Sequence, residues 1–280
     1  MQTRKRLSNK RREVTVEIDL LTVSSIALIV LTGVILFFSV LGFVKSFLGI
    51  KSFEVVGECY YEASEIAAGA DIKKGDRLYR IDIKEAEEKV LLNCPYVKSI
   101  DIKKSFPNKI KFDVECFEAI WYIDISGDYY VLDADMRVLE ETKNEERLKD
   151  EGLISLTLPK IKTVIVGEVA TFGGSDVECE ATRSIMKTIL ASPVRDMICS
   201  ADIDNRYDVH LEFNALLDNT KLEGAFLVSL GSYSKLEAKL EYIARALERE
   251  NLEGAYGGNI DVSEEGDKVS IRPVYSSENS

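Results

Sequence analysis

The chain has 280 residues, a formal net charge of −12 and a single histidine. That length has room for an anchor and one or two domains. The acidity argues against nucleic acid as a partner, because phosphates would repel such a body.

The charge is unevenly spread. Residues 1–19 hold six basic side chains (Arg4, Lys5, Arg6, Lys10, Arg11 and Arg12) against three acids, and the remainder holds 30 basic and 45 acidic residues. Residues 20–44, LLTVSSIALIVLTGVILFFSVLGFV, carry no charge. A helix of that length, at about 1.5 Å per residue, spans the roughly 30 Å hydrocarbon core with some tilt. The stretch is too long for the apolar part of a cleaved signal peptide, and it ends in bulky Phe43 and Val44. The positive-inside rule then places residues 1–19 as a cytoplasmic basic tail and the rest of the chain beyond the cytoplasmic membrane.

A compact unit is expected over 51–118. KSFEVVG alternates Phe53 and Val55 into a strand that Gly57 ends. A short helix follows near 63–68, with Gly69 and Gly75 punctuating the connection. Asp82 and Glu85 read as a capping box, and Ile83, Ala86 and Val90 give the next helix one buried face. Pro95 stops that helix. Val97, Ile100 and Ile102 then form one strand and Ile110, Phe112 and Val114 another, joined by a tight turn at Pro107-Asn108. The order β-α-α-β-β predicts two helices on one side of a three-stranded sheet.

Residues 119–273 read as a mostly β region with two helices. Strand-like residues run almost continuously through 120–125, which predicts a rigid joint near Glu118. Trp121, Tyr122, Tyr129 and Tyr130 suit sheet packing. Residues 143–152, KNEERLKDEG, predict a solvated charged loop or short helix. A strand ends at Gly167, a helix carries Ala181, Ile185 and Ile189 towards Pro193, and DIDNRYDVHLEFN predicts a strand bearing His210. In the clearest helix Ser234 and Glu237 form a capping box and Leu236, Leu240, Ile243 and Leu247 one stripe. A hairpin around Glu265-Gly266 closes the region, and residues 274–280 form a disordered polar tail.

Five cysteines (Cys59, Cys94, Cys116, Cys179 and Cys199) lack paired C-x-x-C spacing, so neither zinc nor a redox motif is indicated. They read as small buried hydrophobes or free thiols; a single disulfide stays open, with no pair selected.

Reactive chemistry is weakly indicated. Ser184 and Lys187 make an S-x-x-K match, but its companion boxes are missing and Ser184 falls inside an amphipathic helix. Ser46 and Ser52 follow the span as a signal-peptidase serine would, without the surrounding motif. His210 suits a structural role in an alternating strand, and Asp133-Ala134-Asp135 and Asp202-Ile203-Asp204 read as turn acids. No catalytic residue, metal ligand, cofactor or small-molecule substrate is assigned.

Several fragments, in this order and spacing, carry a resemblance: Val55 to Gly57, Ser64 to Ile66, Gly75 to Leu78, Ile81-Asp82, P-Y-V-K-S-I at Pro95 to Ile100, P-N-x-I at Pro107 to Ile110, and Val114-Glu115. They look like a POTRA domain, and with one span directly before it the chain resembles the FtsQ/DivIB family of bacterial cell-division proteins. It departs from the family where Lys109 replaces a frequent threonine and Cys116, Phe117 and Glu118 replace an Arg-x-Pro-like element. The resemblance implies a single-pass cell-membrane protein of the division septum, a non-enzymatic scaffold that helps couple septum assembly to wall synthesis. Its partners would be small single-span division proteins of the FtsB/DivIC and FtsL types, docking by strand addition. The docking strand would comprise Lys268, Val269, Ser270, Ile271 and Arg272, and a proline at Ser270 is expected to remove a ladder donor. The competing readings are a POTRA-type envelope assembly or secretion factor and a membrane-anchored envelope hydrolase.

Overall fold

The computed structural model describes residues 20–47, 49–216, 221–250, 252, 254–263, 265–266 and 268–275. The expected basic tail, 1–19, and the last five residues of the expected polar tail lie outside them.

Helix α1 (Leu20–Phe47) extends three residues past the uncharged stretch. All side chains from 23 to 42 are exposed, so that stretch of the helix packs on nothing among the described residues. Strand β1 (Ser52–Val56), α2 (Ala63–Gly69), a 3-10 turn at Leu78–Arg80, α3 (Ile83–Asn93), β2 (Val97–Ser105) and β3 (Lys109–Cys116) follow. The sheet order is β1-β3-β2, with β1 parallel and β2 antiparallel to β3. Ile66, Leu78, Val90, Ile110 and Phe112 fill the core between helices and sheet. Gly57 has φ +108°, and a Cβ there would collide with the Val114 carbonyl, so the exit from β1 needs glycine.

Capping differs from expectation. The Asp82 carboxylate accepts the N–H groups of Lys84 and Glu85, but Glu85 turns away to pair with Lys89, so α3 has a simple N-cap. A reciprocal capping box opens α2 instead, between Glu62 and Glu65.

The second region comprises β4 (Trp121–Ile125), β5 (Asp128–Leu132), β6 (Val138–Thr142), α4 (Glu145–Asp150), β7 (Ile154–Thr157), β8 (Ile161–Thr163), β9 (Thr171–Phe172), α5 (Asp176–Leu190), β10 (Ile198–Asp202), β11 (Val209–Ala215), β12 (Lys221–Gly231), α6 (Leu236–Leu247), β13 (Ala255–Val262) and β14 (Val269–Tyr275). Among the described residues its two longer helices are α5 and α6, and α4 is the short helix left open for 143–152. Nine strands form one sheet in the order β14-β13-β12-β11-β10-β7-β4-β5-β6, while β8 and β9 pair separately. Successive side chains on β4 point to opposite faces. Trp121 and Ile123 join the core beneath α5 and α6; Tyr122 joins Leu148 of α4 and Tyr96 on the other face.

Several sequence readings need correction. The strand expected to end at Gly167 stops at Thr163. DIDNRYDVHLEFN is two strands, because Asp202 accepts the Asp204 N–H and Asn205 the Tyr207 N–H, turning the chain between β10 and β11. The N-cap of helix α6 is Lys235, with φ 56° and no side-chain cap bond, in place of the Ser234–Glu237 box. Its stripe is as expected: Leu236, Leu240, Ile243 and Leu247 are all buried. Strand β14 runs to Tyr275, two residues into the expected tail.

The joint is packed. Phe117 N–H donates to the Tyr96 carbonyl at 2.8 Å, and Arg137 lies 5.0 Å over the Phe117 ring. Arg147 of α4, expected in solvent, is half-buried and bonds both Tyr60 and Glu140. Cys59 and Cys116 form a disulfide beside this cluster, so these two thiols are not free; Cys94, Cys179 and Cys199 are.

Candidate functional site

Strand β14 is one terminal strand of the nine-stranded sheet. The hairpin that forms it is closed by the Ser263 N–H donating to the Lys268 carbonyl at 3.0 Å. From Val262↔Val269 to Gly258↔Pro273 the register is unbroken. Hydrogen-bonded and non-bonded pairs alternate along an antiparallel ladder. Counting from Ser263 and Lys268, Ser270 and Arg272 exchange bonds with Asp261 and Asn259. Val269, Ile271 and Pro273 direct their backbone groups outward. Proline lacks an N–H, which suits that outward position. Among the described residues the outward groups of this edge thus include the N–H of Val269, the N–H of Ile271 and three carbonyls, and Pro273 brings no donor.

Four of the five predicted docking residues, Val269 to Arg272, lie on this strand, and Lys268 immediately precedes it. Val269 and Ile271 are half-buried against the core, and Lys268, Ser270 and Arg272 are exposed. The Arg272 guanidinium pairs with Asp261 across the hairpin. The proline test needs revision: Ser270 bonds inward, so a proline there would break the hairpin and leave the outward donors in place. Pro273 in the sequence was the available signal for this phase.

Another edge strand is differently furnished. On β2 the Ile102 N–H donates to Glu87 Oε1 at 2.9 Å, and Lys104 Nζ donates to the Ile81 carbonyl at 2.8 Å. Side chains from the same unit thereby occupy part of that edge, a common guard against unwanted pairing. At the far end of the large sheet, the chain itself engages β6: Val138 N–H donates to the Glu168 carbonyl and Gly167 N–H to the Val138 carbonyl, each at 2.8 Å.

The other singled-out residues are scattered. Ser184 and Lys187 lie exposed on α5 beside a hollow of about 510 Å³ that Arg183, Glu237 and Glu241 also line. Lys187 lies 4.0 Å from Asp135. Ser46 is in the last turn of α1 and Ser52 begins β1. His210, half-buried on β11, has its Nε2 3.0 Å from the exposed Asp208 that precedes the strand. Asp133 is buried and accepts the N–H groups of Asp135 and Arg137; burial raises its carboxyl above the usual range, against those two bonds. Among the described residues no cluster of three His, Cys, Asp or Glu is placed to hold a metal ion.

Comparisons with known proteins agree with this architecture. Residues 48–115 match the family described as POTRA domain, FtsQ-type. The cell division protein DivIB of Clostridium botulinum strain Hall is 26% identical over 224 residues, covering 80% of this chain and 81% of that protein. DivIB of Clostridium tetani is 23% identical over 228 residues, covering 81% and 80%. DivIB of Bacillus subtilis is 33% identical over 82 residues, 29% of this chain and 31% of its own length. With an apolar N-terminal helix, a POTRA unit of the FtsQ type and a mostly β region, the chain is similar over about four fifths of its length to the DivIB cell-division proteins of the FtsQ/DivIB family.

Proposed function

We propose that the chain is a non-enzymatic scaffold of the division machinery. Helix α1 spans the membrane once, with residues 1–19 in the cytoplasm and the folded body outside it at the septum. Residues 51–118 and 119–273 are the two units of that body, held as one piece by the joint around Tyr96 and Arg147. Small single-span division proteins of the FtsB/DivIC and FtsL types add a strand to β14, and the assembly helps couple septum formation to wall synthesis.

The observation that supports this most is the outward phase of Val269 and Ile271 at the end of a well-packed sheet. Two backbone donors two residues apart match the spacing of acceptors on an incoming strand, about 6.8 Å. Each such bond contributes on the order of 1 kcal/mol net, so affinity also needs side-chain contacts along the edge.

The test uses the full chain in its host. Depletion is expected to give filaments without septa, and the parent gene to restore division. Ile271→Pro removes one outward donor and leaves the inward pairs of Ser270 and Arg272; it is expected to fold, fail to co-purify the single-span partners, and fail to restore division. Ile271→Val controls for the altered side chain and should behave like the parent. Folded Ile271→Pro protein that captures the partners as well as the parent would refute the docking assignment.

A further inference from the structure

The end of the POTRA unit nearest α1 is basic and aromatic, on a body that is otherwise acidic. Only residue 48 separates Phe47 at the end of α1 from Gly49, which bridges to Arg77. The Ile50 N–H donates to the Asp76 carbonyl at 2.9 Å, the Gly75 N–H to the Ile50 carbonyl at 2.8 Å, and the Lys51 N–H to the Asn108 carbonyl at 2.8 Å. Strand β1 begins opposite Lys109, and β2 ends at Ser105. The segments 73–80 and 103–109 therefore flank the place where the chain arrives from α1. Two extended residues reach at most about 7 Å, so this end is held against whatever surrounds the end of that helix.

These segments, KKGDRLYR and KKSFPNK, contain seven basic residues and one acid, whereas the chain beyond residue 19 has 45 acids to 30 basic residues. Part of that charge is satisfied internally, since Lys103 pairs with Asp101 and Asp113, and Lys109 with Glu54. Lys73, Lys74 and Arg80 stay exposed, with Asp71 3.7 Å from Lys73. The acids Asp71, Asp76, Asp82 and Glu85 line a cleft beside α2 and α3 that Arg77, Arg80 and Lys89 also line. Two aromatic rings stand out of the same end: Phe106 is 73% and Tyr79 58% exposed. Arg77 donates to the Tyr79 hydroxyl at 3.1 Å, fixing that ring beside the cations.

From this juxtaposition we infer that the end formed by 73–80 and 103–109 docks on anionic lipid headgroups. Lys73, Lys74 and Arg80 face the phosphates, and Phe106 and Tyr79 sit at headgroup depth. Amphipathic and aromatic rings favour that level, and clustered basic residues are drawn to an anionic surface within a Debye length. Chain continuity brings the patch to the bilayer, and its charge is opposite in sign to the surface it meets. The inference rests on the reading of α1 as a membrane span. Docking would seat the body at a defined tilt.

The experiment places photoreactive p-benzoylphenylalanine at position 106, 31 or 227 of the full chain, reconstituted in phosphatidylcholine vesicles with or without phosphatidylglycerol. Mass spectrometry reads lipid adducts after illumination. Position 31, on α1, should capture lipid in both vesicles, and position 227, on the sheet far along the chain, in neither. Position 106 should capture lipid several-fold more with phosphatidylglycerol present. The triple substitution Lys73→Glu, Lys74→Glu and Arg80→Glu, with circular dichroism unchanged, should abolish that excess. No capture at 106 while 31 is captured overturns the docking surface alone, as does capture at 106 that ignores both lipid charge and the triple substitution. Loss at 31 as well overturns the span and the inference with it.

Discussion

Tyr96 stacks on Tyr60 with ring centroids 4.6 Å apart and planes 11° from parallel, while its hydroxyl donates to Glu140 Oε2 at 2.9 Å in the neighbouring region. One residue thus ties the POTRA unit to β6. Arg147 completes the arrangement by donating to the Tyr60 hydroxyl at 2.8 Å and to Glu140 Oε1 at 2.6 Å. Tyr96→Phe is expected to destabilise by about 1 kcal/mol, and Arg147→Ala by roughly 1–3 kcal/mol because it leaves a half-buried Glu140 without its charged partner. Since both act on Glu140, the double variant should show non-additivity of at least about 0.5 kcal/mol in urea denaturation. Strict additivity would mean that the cluster is not one unit.

Alkaline solution should loosen the same place. Burial is the largest cause raising the Tyr61 phenol to about 12, and burial with the adjacent Glu140 charge drives Tyr96 higher still. An unfolded tyrosine titrates near 10, so above about pH 10 the unfolded chain releases protons that the folded chain keeps. The tyrosine contribution to stability is therefore full below about pH 10 and declines as pH rises towards 12. Burial also raises the Cys199 thiol, to about 11, which starts the decline near pH 9. Urea midpoints measured from pH 8 to 12 should fall, and Tyr61→Phe should flatten the upper part of the curve.

The disulfide should matter for stability. Cys59 and Cys116 are 57 positions apart, so the bond closes a long loop of the unfolded chain. Loops of that order contribute about 2–4 kcal/mol, chiefly through the unfolded state. Double replacement by serine should lower stability by that amount, and reductant should do the same to the parent while leaving the variant unchanged.

Lys239 should also prove structural. Its side chain is fully buried, and Nζ donates to the carbonyls of Leu230 and Ser232 at 2.8 and 2.7 Å, holding α6 to the end of β12. Lys239→Met keeps the length and removes the ammonium. It is expected to cost about 2–3 kcal/mol, measured by thermal or urea unfolding, because two carbonyls lose a charged donor.

What the sequence made legible was local. Ile83, Ala86 and Val90 announce α3, and the stripe from Leu236 to Leu247 announces α6, because helical period and burial coincide within a dozen residues. Pairings between distant segments were not legible. Nothing near Ser155 or Ser200 says that β7 and β10 run parallel, with β7 also against β4, or that nine strands make one sheet. The bond between Cys59 and Cys116 escaped for the same reason, since spacing cannot report proximity created by folding. Capping at α6 failed because Lys235 adopts a left-handed conformation that Ser234 and Glu237 do not foreshadow. In the candidate site the strand was legible and its hydrogen-bond phase was not, although Pro273 held the clue.

The two ends of the large sheet differ among the described residues, since the returning chain pairs with Val138 at the start of β6, whereas β14 is the terminal strand at the other end. A returning segment at one end shortens the rim on which a second copy could pair there, and so works against end-to-end growth of the sheet.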